Sequence, residues 1–340
     1  MALNFSTPNT ESRIYSVGSY RPRRIVTNSE LVGRIDSSDE WIRERSGIET
    51  RRFASDDESV TMMAKAASLQ AIERAGIAAS EIDTVIISTI SYPYQTPSGA
   101  TELIQELAIP KAAAFDISAA CAGFCYGVAM ASDFIRAGNA RYVLVVGVER
   151  LSDYTNLDDR GTAFIFADGA GAVIIGPSDQ SGIGPTVWGS DADNRDAILL
   201  EPSWLEIRDG GEKKWPDITM AGQRVFRWAV YEMAQKGLEA LTKAGISVNE
   251  LDAFIPHQAN ARIIEALAKA MKLPESVAIA TDVKYAGNTS AASIPLAMDA
   301  LLAEREDLYG KTALIIGFGA GLVYAGQVVL LPEKPKNVKS

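Results

Sequence analysis

The chain has a single histidine, His257, two cysteines, Cys121 and Cys125, and no long apolar run. One imidazole, with no Cys-x-x-Cys pair and no His-Glu-x-x-His, leaves zinc without its usual ligands, so no metal site is expected. The cysteines lie four residues apart in one helix-like stretch, leaving no long loop for a disulfide to close, and a reduced compartment suits them. No apolar run approaches the roughly 18 residues of a membrane span. The start from Met1 to Arg13 is polar and lacks the basic-then-apolar pattern of a secretory signal, so a cytoplasmic protein is expected. Basic side chains number 33 against 43 acidic ones, a formal charge of −10 that opposes general binding to nucleic acid or anionic membranes. Any anionic ligand must therefore be met by local cations. Two signatures are also missing. No Gly-x-Ser-x-Gly elbow is present for serine hydrolysis. The dinucleotide fingerprint fails twice, because Leu322 follows Gly317 and Gly319, and Ile174 follows Gly169 and Gly171, where a third glycine belongs.

What the chain does have is internal repetition. Ala75-Gly76-Ile77, followed by Glu81-Ile82-Asp83, recurs as Ala244-Gly245-Ile246 and Glu250-Leu251-Asp252, an offset of 169 from Asp83 to Asp252. Each copy follows a long helical pattern, Ser59 to Arg74 and Val225 to Lys243, and precedes an apolar strand-like run. Further on, Arg141 to Gly147 (RYVLVVG) matches Lys311 to Gly317 (KTALIIG) at an offset of 170. The spacing predicts two related halves, 1–180 and 181–340. Strand-like runs alternating with helices imply an α/β protein with largely parallel sheets, whose ligands gather at the carboxyl ends of the strands.

Cys121 stands at such an end, between a strand predicted over Ala112 to Ser118 and a helix predicted over Cys121 to Ala137. The helix N-terminus favours its thiolate, while apolar surroundings oppose ionisation. Cys125, one turn further, reads as core. His257 follows the strand-like run Leu251 to Pro256. Asn288 precedes another small-residue helix, which it can cap or leave in order to meet a substrate. In the second half Asn288 takes roughly the place of Cys121, judged from Asp116 and Asp282 ahead of them.

Three stretches, Asp116 to Phe124 (DISAACAGF), Pro256 to Asn260 (PHQAN) and Gly287 to Ser293 (GNTSAAS), together resemble the signatures of the β-ketoacyl-acyl carrier protein synthase III family. Supporting stretches are Ser37 to Trp41, Asp159 to Thr162, Phe166 to Gly171 and Thr219 to Gly222, and the resemblance runs from about Arg13 to Leu331. It implies the duplicated five-layer αβαβα sandwich of the thiolase fold, a homodimer, and no cofactor beyond coenzyme A thioester as substrate. It also implies a two-stage reaction. Cys121 takes an acyl group from an acyl-CoA primer, with the backbone amides of Cys121 and Ala320 as oxyanion hole. Malonyl-acyl carrier protein then loses carbon dioxide, with His257 and Asn288 donating to its thioester oxygen, and its carbanion attacks the acyl group. By the same resemblance Trp41, Arg45, Arg160 and Asn260 hold coenzyme A, and Thr96 and Phe318 belong to the acyl pocket. Arg227, Arg262 and Lys269 form a patch for the carrier protein. Thr96, where some relatives carry phenylalanine, suggests primers longer than acetyl. A thiolase is excluded because no second cysteine follows Cys125. Specialised transferases and polyketide-type condensing enzymes with another acceptor keep the same three residues and stay open.

Overall fold

The computed structural model describes residues 10–210 and 215–335. The polar start before Thr10 and the end of the tail beyond Pro335 lie outside them. Two five-stranded sheets carry the architecture. In the first, the order is Glu11–Tyr20, Asp168–Ser178, Val143–Arg150, Thr84–Ser88, Ala113–Ile117. In the second it is Val187–Ser190, Val323–Leu330, Thr312–Gly319, Ala253–Pro256, Ala278–Ile279, the same order over again. Each sheet is mixed rather than largely parallel. Three strands joined through helices run parallel, the next strand returns antiparallel, and the edge strand beyond it is antiparallel to that one.

Helices fill three further layers. Gly123–Arg136 and Ser293–Glu304 lie between the sheets, and their apolar side chains share one core with the inner sheet faces, including Phe124, Val128, Ile294 and Met298. Val60–Ala75 and Gly99–Glu106 cover the outer face of the first sheet. Gly222–Ala244 and Ala261–Ala270 cover that of the second. The result is the expected five-layer αβαβα sandwich. The two central helices are apolar nearly all round, as a layer buried on both sides demands.

The repeated motif has a local mechanical reason. Gly76 and Gly245 end their helices with φ of +67° and +75°, the left-handed cap that glycine adopts without steric cost. Glu81 and Glu250 then reach back to accept from the amides of Ala78 and Ser247, both at 2.9 Å, closing a short 3-10 turn. The aspartates tie that turn to the next strand of the sheet. Asp83 accepts from the Arg141 amide at 2.7 Å, and Asp252 from the Thr312 amide at 3.0 Å.

The two halves interlock through glycine. A Cβ on Gly147 would sit 2.1 Å from the carbonyl oxygen of Ala291, and one on Gly317 would sit 2.8 Å from Cα of Ala122. Each glycine thus opens a strand of one half to the turn that starts the central helix of the other. Replacing Gly147 with alanine forces backbone against backbone, and we expect it to cost about 1–3 kcal/mol, the range for overpacked cores. Denaturant unfolding checks this as a lower midpoint at unchanged slope.

Candidate active site

Cys121 does not open the central helix itself. It occupies a one-turn 3-10 segment, Ala120–Ala122, ahead of Gly123–Arg136. Ala120 holds φ of +44°, a strained value for a residue with a side chain, and this bend turns Cys121 out of the strand end towards open space. The second half repeats the device with Ser290–Ala292 ahead of Ser293–Glu304, where Ser290 holds φ of +48°. Matching turn to turn, from Gly123 to Ser293, gives the offset of 170 also seen between the strands. The true counterpart of Cys121 is therefore Ala291, and Asn288 answers to Ser118. Counting from Asp116 and Asp282 misleads because the second half inserts the four-residue helix Val283–Ala286 in between.

Cys121, His257 and Asn288 all line one cavity of about 660 Å³. His257 follows the strand Ala253–Pro256, and its amide bonds the Ile316 carbonyl at 2.8 Å. Its Nδ1 lies 2.8 Å from Ser293 Oγ, which also accepts from the Gln258 amide at 3.2 Å. When the Ser293 hydroxyl donates to Nδ1, the imidazole proton sits on Nε2. Burial pushes the imidazole down to about 3, so His257 is neutral at any working pH. Asn288 Oδ1 accepts from the Ser290 amide at 2.9 Å, a turn bond two residues on, while the helix caps are Thr289 and Ala292; this leaves its NH2 end as donor. Phe318, buried, stands edge-on to His257 with ring centres 5.3 Å apart, so it belongs to the imidazole's surroundings.

The thiol lines the cavity and is only half-buried by surface area, yet it is enclosed in protein, and that depth sets its ionisation. Burial pushes Cys121 up to about 12, helped by the Glu149 carboxylate and opposed by the Ser290 hydroxyl. Burial therefore outweighs the turn's amides in the empty site. Gly319 lies against the sulfur, where a Cβ would meet Cys121 Sγ and its amide nitrogen, each at 2.9 Å. Next to it Ala320 opens the 3-10 segment Ala320–Leu322, and Cys121 sits in the first turn of its own segment. Amides so placed have no acceptor within the turn and are free for an oxyanion.

Trp41, Arg45, Arg160 and Asn260 share the cavity's mouth. The guanidiniums of Arg160 and Arg45 stand 4.6 Å and 5.4 Å from the Trp41 ring centre. Phe164 packs edge-on against the indole, its carbonyl held at 3.2 Å by the buried Arg51. Asn260 has structural work as well, donating to the Arg45 carbonyl at 3.0 Å and capping the helix Ala261–Ala270. Arg227 and Arg262 are exposed on the rim, whereas Lys269 lies further along its helix, off the cavity. Among the described residues no cluster could hold a metal ion, and no helix is long and apolar enough to cross a membrane.

Thr96 is exposed on the loop before Gly99–Glu106 and does not line its own chain's cavity. The apolar wall comes instead from Ile90, Leu151, Phe166, Ile198, Ile218 and Leu322. Ile198 and Ile218 sit on an antiparallel pair, Ile198–Glu201 with Asp217–Met220, which matches the pair Arg24–Thr27 with Thr50–Phe53 of the first half, each lying between its half's first sheet strand and long outer helix. No local sequence pattern marks them as cavity residues.

Two outcomes follow from the geometry. Gly319→Ala displaces the sulfur or its amide, and a loss of about 100-fold in reaction of Cys121 with an acyl thioester is expected, read by quenched-flow mass measurement. Because His257 has no proton to lose or gain near its ordinary value, the condensing step will show no limb between pH 5.5 and 7.5 from imidazole (about a unit either side of the free value), measured as decarboxylation by the preloaded acyl enzyme.

Comparison with known proteins adds the last evidence. Residues 115–192 match the family described as 3-Oxoacyl-[acyl-carrier-protein (ACP)] synthase III, and residues 241–331 match its C-terminal part. The chain is 57% identical over 321 residues to beta-ketoacyl-[acyl-carrier-protein] synthase III of Streptomyces glaucescens, covering 94% of this chain and 96% of that protein. It is 49% identical over 323 residues to the mycobacterial beta-ketoacyl-[acyl-carrier-protein] synthase III of Mycobacterium avium (strain 104), covering 95% and 96%. Among solved structures, the priming β-ketosynthase of the R1128 polyketide biosynthetic pathway superposes with a TM-score of 0.96 at 45% identity, covering 98% of this chain and all of that one. The 3-oxoacyl-[acyl-carrier-protein] synthase III of Aquifex aeolicus VF5 gives 0.86 at 36%, covering 94% and 99%. Identity at this level across almost the whole length, on a fold that agrees layer by layer, makes the chain a member of the β-ketoacyl-[acyl-carrier-protein] synthase III family of thiolase-fold condensing acyltransferases.

Proposed function

We propose that the chain joins an acyl-coenzyme A primer to malonyl-acyl carrier protein by decarboxylative condensation, the step that initiates fatty acid synthesis. The observation that carries this reading is one cavity holding Cys121, His257 and Asn288, lined by apolar side chains and carrying cations around an indole. The primer's thioester carbonyl meets the amides of Cys121 and Ala320, and Ile198 and Ile218, which pack in one cluster with Trp41, flank the coenzyme A arm. The nucleotide end of coenzyme A lies at Trp41, with Arg160 and Arg45 supplying the positive charge that the acidic chain as a whole lacks. No cofactor is called for.

Acyl transfer to sulfur expels coenzyme A. The malonyl thioester then enters, and its oxygen gains charge as carbon dioxide leaves. His257 Nε2 and the Asn288 NH2 group are neutral donors fixed in advance, the arrangement that stabilises developing charge with little reorganisation. Arg227 and Arg262 on the rim suit an acidic carrier protein, with Lys269 extending the patch along the helix.

A homodimer completes the assembly, and the cytoplasm is the compartment we assign. Ala113–Ile117 is an edge strand of the first sheet, left open in a single chain. The Thr96 loop leads into the helix whose first amides, Gly99 and Ala100, are held by Asp116 of that strand, at 2.6 and 2.8 Å. Thr96 can then contribute to an acyl pocket only if a second copy brings its loop there, which pairing across this edge supplies.

The R1128 relative supports a second reading, in which the same condensation primes a polyketide. The two differ in the carrier that receives the product, so turnover with the two carrier proteins separates them. Incubation with acyl-coenzyme A is expected to add one acyl mass to Cys121, absent in Cys121→Ala, and malonyl-acyl carrier protein is expected to discharge it. An adduct that malonyl carrier leaves untouched would rule out condensation. Ile218→Trp crowds the cavity beside Trp41, and we expect kcat/KM for acyl-coenzyme A to fall about 10-fold or more.

A further inference from the structure

A buried carboxylate close to the thiol has no part in the chemistry described so far. Glu149, near the end of the strand Val143–Arg150, is fully buried. It accepts from Ser91 Oγ at 2.6 Å, from Thr89 Oγ1 at 3.2 Å and from the Ile90 amide at 3.1 Å. The groups that act on it are hydroxyls and an amide, with no cation among them. Three donors and no positive charge make a poor home for a permanent anion.

The fourth neighbour is Ser290. Its hydroxyl is buried and forms no hydrogen bond of ordinary length, a costly state for a polar atom. It nevertheless stands near enough to both Glu149 and Cys121 to favour the ionised form of each. The left-handed backbone at Ser290, +48°, is what aims it there, and its amide is fixed by Asn288. A strained residue with an unpartnered hydroxyl between a thiol and a carboxylate is placed to pass a proton.

We propose that Glu149 takes up the Cys121 proton through the Ser290 hydroxyl as the cysteine is acylated, and returns it when the condensation product leaves. The inference rests on the reading of Cys121 as the acyl carrier. The S–H bond breaks, its proton goes to Ser290 Oγ, and the Ser290 proton goes to Glu149. One negative charge moves from oxygen to sulfur and none is created. The thiolate attacks the thioester carbonyl, and coenzyme A departs with the bonding pair, taking its proton from solvent. In the second stage the carbanion attacks, the Cys121 C–S bond breaks with its pair left on sulfur, and Glu149 gives the proton back. While the acyl group is in place Glu149 is neutral, so no buried anion opposes the charge that decarboxylation develops.

Burial pushes Glu149 up to about 7, which keeps it able to hold a proton at working pH. The other ionisable groups facing the pair are Tyr154, from the turn Leu151–Tyr154, and His257 across the cavity; Asp153 is exposed and paired with Arg150 at 3.2 Å. Glu149 acts through Ser290 and is a positioning residue, so its test needs a readout beyond turnover. Alkylation of Cys121 by iodoacetamide, followed by intact mass from pH 5 to 10 with the buried Cys125 as internal control, reports thiolate formation without any substrate. The full chain is expected to show a limb near the Glu149 value. Glu149→Gln loses that limb and reacts about 100-fold more slowly at neutral pH, while Glu149→Asp restores the limb. A carboxylate that acted only as a charge would oppose the thiolate, so Glu149→Gln would then react faster. An unchanged or faster rate overturns the relay. If Glu149→Gln does not fold, Ser290→Ala decides, since it leaves the carboxylate and its three other bonds in place: slower alkylation supports the relay, an unchanged rate overturns it. Failure of the unaltered chain to accept an acyl group from acyl-coenzyme A would instead refute the acyl-carrier reading.

Discussion

The site exists because two halves of one chain approach closer than side chains ordinarily allow. Gly147 and Gly317 occupy equivalent places in the two sheets, and each admits the opposite half's turn to backbone contact. That contact sets Cys121, on the first turn, beside Ser290, on the second, and holds both at the carboxyl ends of strands from two sheets. A methyl group at either glycine separates the turns, and the three polar side chains no longer share one volume. Close packing of this kind tolerates little adjustment, since interiors are as dense as organic crystals.

The electrostatics of the cavity follow from the same closeness. Burial raises the thiol and lowers the imidazole, so neither Cys121 nor His257 carries charge at rest. In the proposed reaction charge develops first on a thioester oxygen at the Cys121 and Ala320 amides and then on another at His257 and Asn288. Cations are confined to the mouth, at Arg45, Arg160, Arg227 and Arg262. A net negative chain can therefore receive anionic ligands without placing a positive charge where it would hold the carbanion too firmly.

Much of this was legible in the residue order. The repeat, the two halves and the three motifs rest on periodic apolar runs and on residues such as Gly76 and Gly245 whose backbone role is local. Cys121 and His257 could be found because each follows a strand, and Asn288 because it precedes a small-residue helix. What escaped was whatever depends on non-local packing. The alignment of Asn288 with Cys121 failed on a four-residue helix, Val283–Ala286, that no periodicity reveals. Thr96 is exposed in the single chain because its loop leads into a helix whose first amides are tied to Asp116 of the edge strand, a pairing that no local pattern reveals. Glu149 went unnoticed in an apolar strand, where one acidic residue reads as a solvated edge, while the fold buries it completely.

The antiparallel pair Ile198–Glu201 and Asp217–Met220 stands outside the two five-stranded sheets and yet supplies part of the cavity's apolar lining. Reactive side chains and part of that lining thus reside on structurally separate pieces of polypeptide. Substitutions in the ribbon can reshape the lining while the paired turns keep their spacing, so a change in what the cavity admits does not have to be traded against reactivity.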